Sequence, residues 1–194
     1  MEIMLVIVVV IVAITFCIVF AGNEKKKSSQ DKKGEYINYN LERARKYLQA
    51  AQNSKYRPKP LCNSLETAAY LTALNITLER RREERVFVEV SLGEILQTSG
   101  QRDTGYFAIN SKRVDLLITD CNMRPLIVFE IDGSGHNTSE IGQINDKIKE
   151  IALSSAGIPL VRLAVPDDNQ DTLRQQLKQH LYAFFAKKSG TASS

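Results

Sequence analysis

The sequence predicts an α/β fold, a mixed sheet covered by helices on both faces. Three observations predict it. Helix-period and strand-period segments succeed one another in the order α-β-(short α)-β-β-α-β-α after Pro60. Two of the strand segments, Val114–Thr119 and Leu126–Asp132, are apolar on both faces, as in a sheet buried between layers. The longer helical segments each carry one apolar stripe, the pattern of a helix laid on a core.

Ahead of this domain, Ile3 to Ala21 is uncharged and almost wholly apolar. As a helix it would be roughly 28 Å long, close to the ~30 Å hydrocarbon core of a bilayer. One N-terminal transmembrane helix is therefore expected over residues 1–21. A cleavable signal peptide ending at Val19-Phe20-Ala21 is the competing reading, disfavoured by a long apolar run and no basic region before it. Glu2 precedes the span and Lys25, Lys26, Lys27, Lys32 and Lys33 follow it. The positive-inside rule then puts the C-terminal domain in the cytoplasm, on a single-pass protein of the inner (cytoplasmic) membrane. Cys17, Cys62 and Cys121 form neither a CxxC pair nor a disulfide framework, which suits a reducing compartment. The sequons at Asn75 and Asn137 matter only in a lumen.

Residues 22–59 read as a polar, lysine-rich tether with a short helix, Tyr36–Gln52, spaced on Leu41, Ala44, Leu48 and Ala51 and ended by Asn53-Ser54 and Pro58-Lys-Pro60. The compact domain is expected over residues 60–188. Asn63 can cap a helix reaching Arg82 with Leu65, Ala68, Leu71, Leu74 and Leu78 on its apolar side. Val86–Val90 alternates as a strand, Ser91–Thr98 is a short helix or turn, and Ser99–Asp103 is a loop. The two acid-bearing strands follow, joined by a turn over Asp120–Pro125. A helix over Ser139–Ser155 carries Ile141, Ile144, Ile148 and Ile151 and stops at Gly157. Pro159–Val165 is the last strand, and a helix over Asp171–Lys187 carries Leu173, Leu177, Leu181 and Phe184. Residues 189–194 form a Ser/Gly/Thr tail, expected to be disordered.

Chemistry concentrates between Val114 and His136. Asp115 interrupts the first apolar strand, and Glu130 and Asp132 close the second. An unpaired buried carboxylate costs about several kcal/mol, so these acids need cations. A divalent ion is economical, because Mg²⁺ prefers oxygen and takes one or two protein carboxylates. Glu130 and Asp132, two apart, share a face, and a hairpin brings Asp115 to Glu130. Such a pair can hold an ion against a phosphate and help deprotonate water.

In order and spacing, these residues resemble the PD-(D/E)XK nuclease-like superfamily. More narrowly, VDLLITD…LIVFEIDGSGH, then D-x-x-K and AGIPLVR, resembles the bacterial domain of unknown function 2726 and relatives of very-short-patch-repair-type endonucleases. The resemblance spans about Pro60 to Val165. It implies a restriction-endonuclease-like αβββαβ core, Mg²⁺ or Mn²⁺ held by Asp115 and Glu130 with the Ile131 carbonyl, and nucleic acid, DNA first, as partner. Asp132 stands where the superfamily carries its lysine, so it could bind a second ion or mark a site that no longer cuts. Lys149 is the candidate for a migrated lysine, His136 for a general acid or base, and Glu66 for a helix acid reaching the metal.

Each residue has a plainer role open to it. Asp115 and Glu130 can pair with Arg113 and Arg162. Asp132-Gly133 can be a strand-ending turn. Glu66, three after Asn63, can be a capping acid, and Asp146 and Lys149 can pair along their helix. His136 can be a solvated loop residue, and Arg162 can meet a site acid or a phosphate. Gly133-Ser134-Gly135 lacks the lysine of a phosphate loop, and no serine or cysteine nucleophile stands out. Arg80, Arg81, Arg82 and Arg85 alternate with Glu79, Glu83 and Glu84 as a solvated helix end, and a net charge of +4 supports nucleic-acid binding only weakly. Three functions follow: a membrane-anchored metal-dependent nuclease, a non-cutting nuclease-like scaffold that binds nucleic acid or protein, and a bitopic protein whose domain mediates assembly.

Overall fold

The computed structural model describes residues 36–80, 83–100, 103–134 and 139–190, with the backbone alone for 188–190. The chain divides into two compact units, Met1–Pro58 and Lys59–Ser194. The described part of the first is helix α1, residues 36–53, exposed along its length.

The transmembrane helix expected over residues 1–21 lies outside the described residues. Among the described residues no helix is long and apolar enough to cross a membrane. Helix α6 (Gln170–Gly190) has the length, at 21 residues, but it carries Asp171, Arg174, Lys178 and Lys187. The expectation of a single-pass inner-membrane protein is corrected accordingly: the described structure is an α/β domain without a membrane-crossing helix.

The second unit runs α2 (Ser64–Glu79), β1 (Arg85–Ser91), α3 (Leu92–Ile95), α4 (Thr104–Ile109), β2 (Arg113–Thr119), β3 (Pro125–Gly133), α5 (Glu140–Ser155), β4 (Leu160–Val165) and α6. Strand order is β1-β2-β3-β4. β1 to β3 form an antiparallel meander, and β4 joins β3 in parallel after the α5 crossover. The β2–β3 turn is built by Asp120, whose Oδ1 accepts the Asn122 and Arg124 amides at 2.9 Å.

Two cores sandwich the sheet. On one face α2 and α6 pack Ala69, Ala73, Leu173, Leu177, Leu181 and Phe185 against Leu116, Ile118, Ile127 and Phe129. On the other, α3, α4 and α5 bring Leu92, Ile109 and Leu153 to Val114, Leu117 and Val128.

Three helices depart from the expected pattern. α2 ends at Glu79 and buries its small side, Ala68, Ala69, Thr72, Ala73 and Ile76, leaving Leu71 and Leu78 exposed. Small residues let the helix approach both α6 and the sheet. α4 was not expected; Asp103 caps it through the Tyr106 amide. In α5 the isoleucine stripe is split: Ile141, Ile144 and Ile151 are 72, 53 and 60% exposed, whereas Ile148 is half-buried against the second core. The helix is turned so that Ile148, Lys149 and Leu153 face the domain. Arg80 is no merely solvated helix end either, since its guanidinium stacks 3.9 Å from the Phe185 ring centre; Arg81 and Arg82 lie outside the described residues.

Candidate metal centre

The strand registers put four charged residues on one level. Glu130 on β3 pairs with Arg162 on β4. Leu116 pairs with Phe129, so one step further Asp115 comes level with Glu130. The pairs Val88–Leu116 and Val90–Val114 bracket Glu89 and Asp115 in the same way. Glu89, Asp115, Glu130 and Arg162 thus form a row across all four strands. β1 is irregular there: Glu89 has φ of 55°, a left-handed conformation uncommon for a residue with a side chain. The N-terminus of α2 adds Glu66 and α5 adds Asp146 and Lys149, closing a cleft of about 700 Å³.

Inside it, Asp115 Oδ2 accepts the Ile131 amide at 2.7 Å. The Ile131 amide thus orients one oxygen of Asp115. Burial pushes the Asp115 carboxyl above its usual range, opposed by that hydrogen bond and by the charge of Lys149. Glu130 is 5% exposed. Burial first, and the negative charge of Asp115 next, push its carboxyl up to about 7 against the opposing Lys149 and Arg162. Lys149 Nζ donates to Glu130 Oε2. Glu130 Oε1 is buried without a hydrogen-bond partner. An orphan buried carboxylate oxygen is costly, and the register brings Glu130 level with Asp115. Hard carboxylate oxygens of this kind fit Mg²⁺ or Mn²⁺.

The other expected residues divide. Lys149, 3.7 Å from Asp146, reaches Glu130 from α5, so an ammonium stands in the cleft. Arg162 collects acids: Asp132 at 3.3 Å, Asp146 at 3.4 Å and Glu150 at 3.8 Å. Its role is ion pairing, and Asp132 is one of its partners rather than only a turn residue. Glu66 completes a capping box with Asn63, accepting the Asn63 amide at 2.8 Å, and also lines the cleft. Arg113 meets Glu89 at 3.7 Å, a different acid from the two expected. His136 lies outside the described residues.

Two residues at the site escaped the sequence reading. Glu89 offers an oxygen that lies, with one each from Glu66 and Asp115, in a group mutually within 4.8 Å. An acid inside the Val86–Val90 strand was the available signal, the same one that exposed Asp115. Asp168, after β4, borders the cleft and accepts the Ser134 amide at 2.8 Å and the Ser134 hydroxyl, which holds its carboxyl below the usual range. Nothing local in Pro166–Asn169 announces that contact.

Residues 58–181 match the family described as "Protein of unknown function (DUF2726)". An uncharacterized protein of Haemophilus influenzae is 35% identical over 139 residues, covering 70% of this chain and 69% of that one. The uncharacterized protein y4bI of Sinorhizobium fredii is 31% identical over 127 residues, covering 66% of this chain and 90% of the other. No solved structure matches the chain.

Proposed function

The chain belongs to the DUF2726 family, and from that premise we propose that it is a metal-dependent phosphodiesterase acting on nucleic acid, DNA first, with a PD-(D/E)XK nuclease-like site. The observation that carries this reading is the meeting of Asp115, Glu130 and Lys149 in one cleft, with Glu130 Oε1 left unpartnered. The succession α2-β1-β2-β3-α5-β4 agrees with it. Fold agreement alone does not establish an activity, so the residues must carry the case.

Asp115 and Glu130 would hold Mg²⁺ or Mn²⁺, which when bound supplies Lewis-acid polarisation of a phosphodiester. The Ile131 amide fixes one oxygen of Asp115, so that carboxylate is oriented in advance. Lys149, anchored on Glu130, has further N–H donors with which to orient a water or meet a phosphoryl oxygen. Lys112 and Arg113 border the cleft and offer cations to flanking phosphates.

The test is cleavage of supercoiled plasmid, single-stranded DNA and RNA by the full chain. Cleavage should require Mg²⁺ or Mn²⁺ and fall at least about 100-fold in Asp115→Ala and Lys149→Met. No cleavage of any form, together with no Mn²⁺ binding by calorimetry, overturns the reading. A second reading is a nuclease-like scaffold that binds nucleic acid without cutting it, favoured by the tie of Asp132 to Arg162. Retained DNA binding without turnover would select it.

A further inference from the structure

We propose that helix α1 carries a binding face for single-stranded nucleic acid, built from Tyr36, Tyr39, Arg43, Lys46 and Tyr47. None of these residues lines the cleft, and all precede residue 58, where the family match begins. The face shares with the proposed nuclease activity only the class of partner and does not depend on the cleft's cutting anything.

The net charge of +4 is unevenly placed along the chain. Residues 36–58 hold five lysines and arginines against one acid, Glu42, whereas residues 59–194 hold sixteen against seventeen. The domain with the acidic cleft therefore brings no net attraction to a polyanion, and the segment before it does. The tyrosines follow the same division. Four of the seven, Tyr36, Tyr39, Tyr47 and Tyr56, fall in this segment, and they are 58–76% exposed. An exposed ring leaves in water an apolar surface that a base can cover.

The helix sorts these residues by side. At about 100° per residue, Tyr36, Tyr39, Arg43, Lys46 and Tyr47 fall within about 100° of one another. Ile37, Leu41 and Leu48 lie about 150° further round. That arrangement argues against a lipid surface, where aromatic and aliphatic side chains share one face and cations take the other. Rings and cations alternate along one face of α1, the combination that stacks the bases and neutralises the phosphates of a single strand. Arg43 joins the two functions. Its Nε donates to the Tyr47 hydroxyl at 3.0 Å, and its guanidinium lies 5.5 Å from the Tyr47 ring centre. A guanidinium so placed has further N–H groups to offer a phosphate. From Tyr36 to Tyr47 the helix rises about 16 Å, the length of about five stacked nucleotides. Lys55, Tyr56 and Arg57 repeat the pairing just after the helix. A duplex keeps its bases stacked on one another and gives the rings nothing to cover, so the single strand is the form that fits.

The experiment is fluorescence anisotropy of a labelled oligothymidine of about 15 nucleotides, titrated with the full chain in EDTA so that no metal takes part. Wild type should bind, and Tyr39→Ala/Tyr47→Ala should weaken binding at least about 10-fold. Alanine favours a helix more than tyrosine does, so this loss does not report a melted α1. Tyr39→Phe/Tyr47→Phe, which keeps both rings, should bind within about twofold of wild type. Arg43→Gln/Lys46→Gln should reduce the slope of log affinity against log salt by about 1.4. A duplex of the same length should be insensitive to the tyrosine changes, and Asp115→Ala should leave oligothymidine binding unchanged. No binding by wild type, or unchanged affinity in Tyr39→Ala/Tyr47→Ala, overturns the proposal. So do substitutions that release phosphatidylglycerol vesicles but not the oligonucleotide. Binding with the expected pattern in a protein that cleaves no nucleic acid would sustain this face while sinking the nuclease reading.

Discussion

Glu130 sits where two demands conflict. Burial and the neighbouring Asp115 favour the neutral acid, whereas Lys149 favours the carboxylate, and the result is a group titrating near 7 instead of its ordinary 4.5. The consequence for stability has a definite sign. Below pH 4.5 folded and unfolded states both hold the proton. Between 4.5 and about 7 the folded state keeps a proton that the unfolded state releases, so stability falls as pH rises through that window. Asp115, also raised, contributes in the same direction. With metal chelated, the melting temperature should therefore drop from pH 5 to pH 8, and Glu130→Gln should flatten most of that slope; a wild-type melting temperature that climbs over this range would contradict the assignment. The acids Asp115 and Glu130 were legible in the sequence because a carboxylate in an apolar strand is expensive. Their partners were legible only in part: Arg162 was expected to be able to meet a site acid and Lys149 to pair with Asp146, but a sequence does not say that Lys149 also reaches Glu130.

At the scale of elements, α5 is the informative case. Its isoleucines recur at helical spacing, yet the helix turns Ile148, Lys149 and Leu153 inward and leaves Ile141, Ile144 and Ile151 outside. Ile151→Ala should change unfolding free energy by no more than about 0.5 kcal/mol. Leu153→Ala, at a fully buried position, should cost about 2–5 kcal/mol by urea denaturation. Equal costs would show that the stripe is buried after all. The end of β3 makes a second case. A Cβ on Gly133 would lie 2.6 Å from Asp168 Oδ1 and 3.2 Å from Leu65 Cδ1, and Asp168 is itself held by Ser134. Gly133→Ala should destabilise by about 1–3 kcal/mol in the same assay, because Asp168 or β3 must move.

For the whole molecule, the sheet and its two helical layers serve as the frame that sets the row Glu89–Asp115–Glu130–Arg162. Phe129 is fully buried in the larger core and adjoins Glu130 in sequence. Phe129→Ala should cost about 3–5 kcal/mol, read as a lower urea midpoint with an unchanged slope. It should also weaken Mn²⁺ binding, because the strand carrying Glu130 loses its support.

The alternation of segment types, the two-faced apolar strands, the capping box at Asn63–Glu66 and the acids set into β2 and β3 are properties of neighbouring residues. Local backbone preference and the cost of burying charge sufficed to read them from the chain. Which side of α5 meets the sheet, which acids share the cleft and which cation each one meets depend on contacts between residues distant in sequence. Those contacts follow from strand register and helix rotation, and only the assembled core selects among them. Glu89 shows the difference most plainly: in sequence it is one polar residue in an alternating strand, and in the fold it is a member of the candidate metal centre.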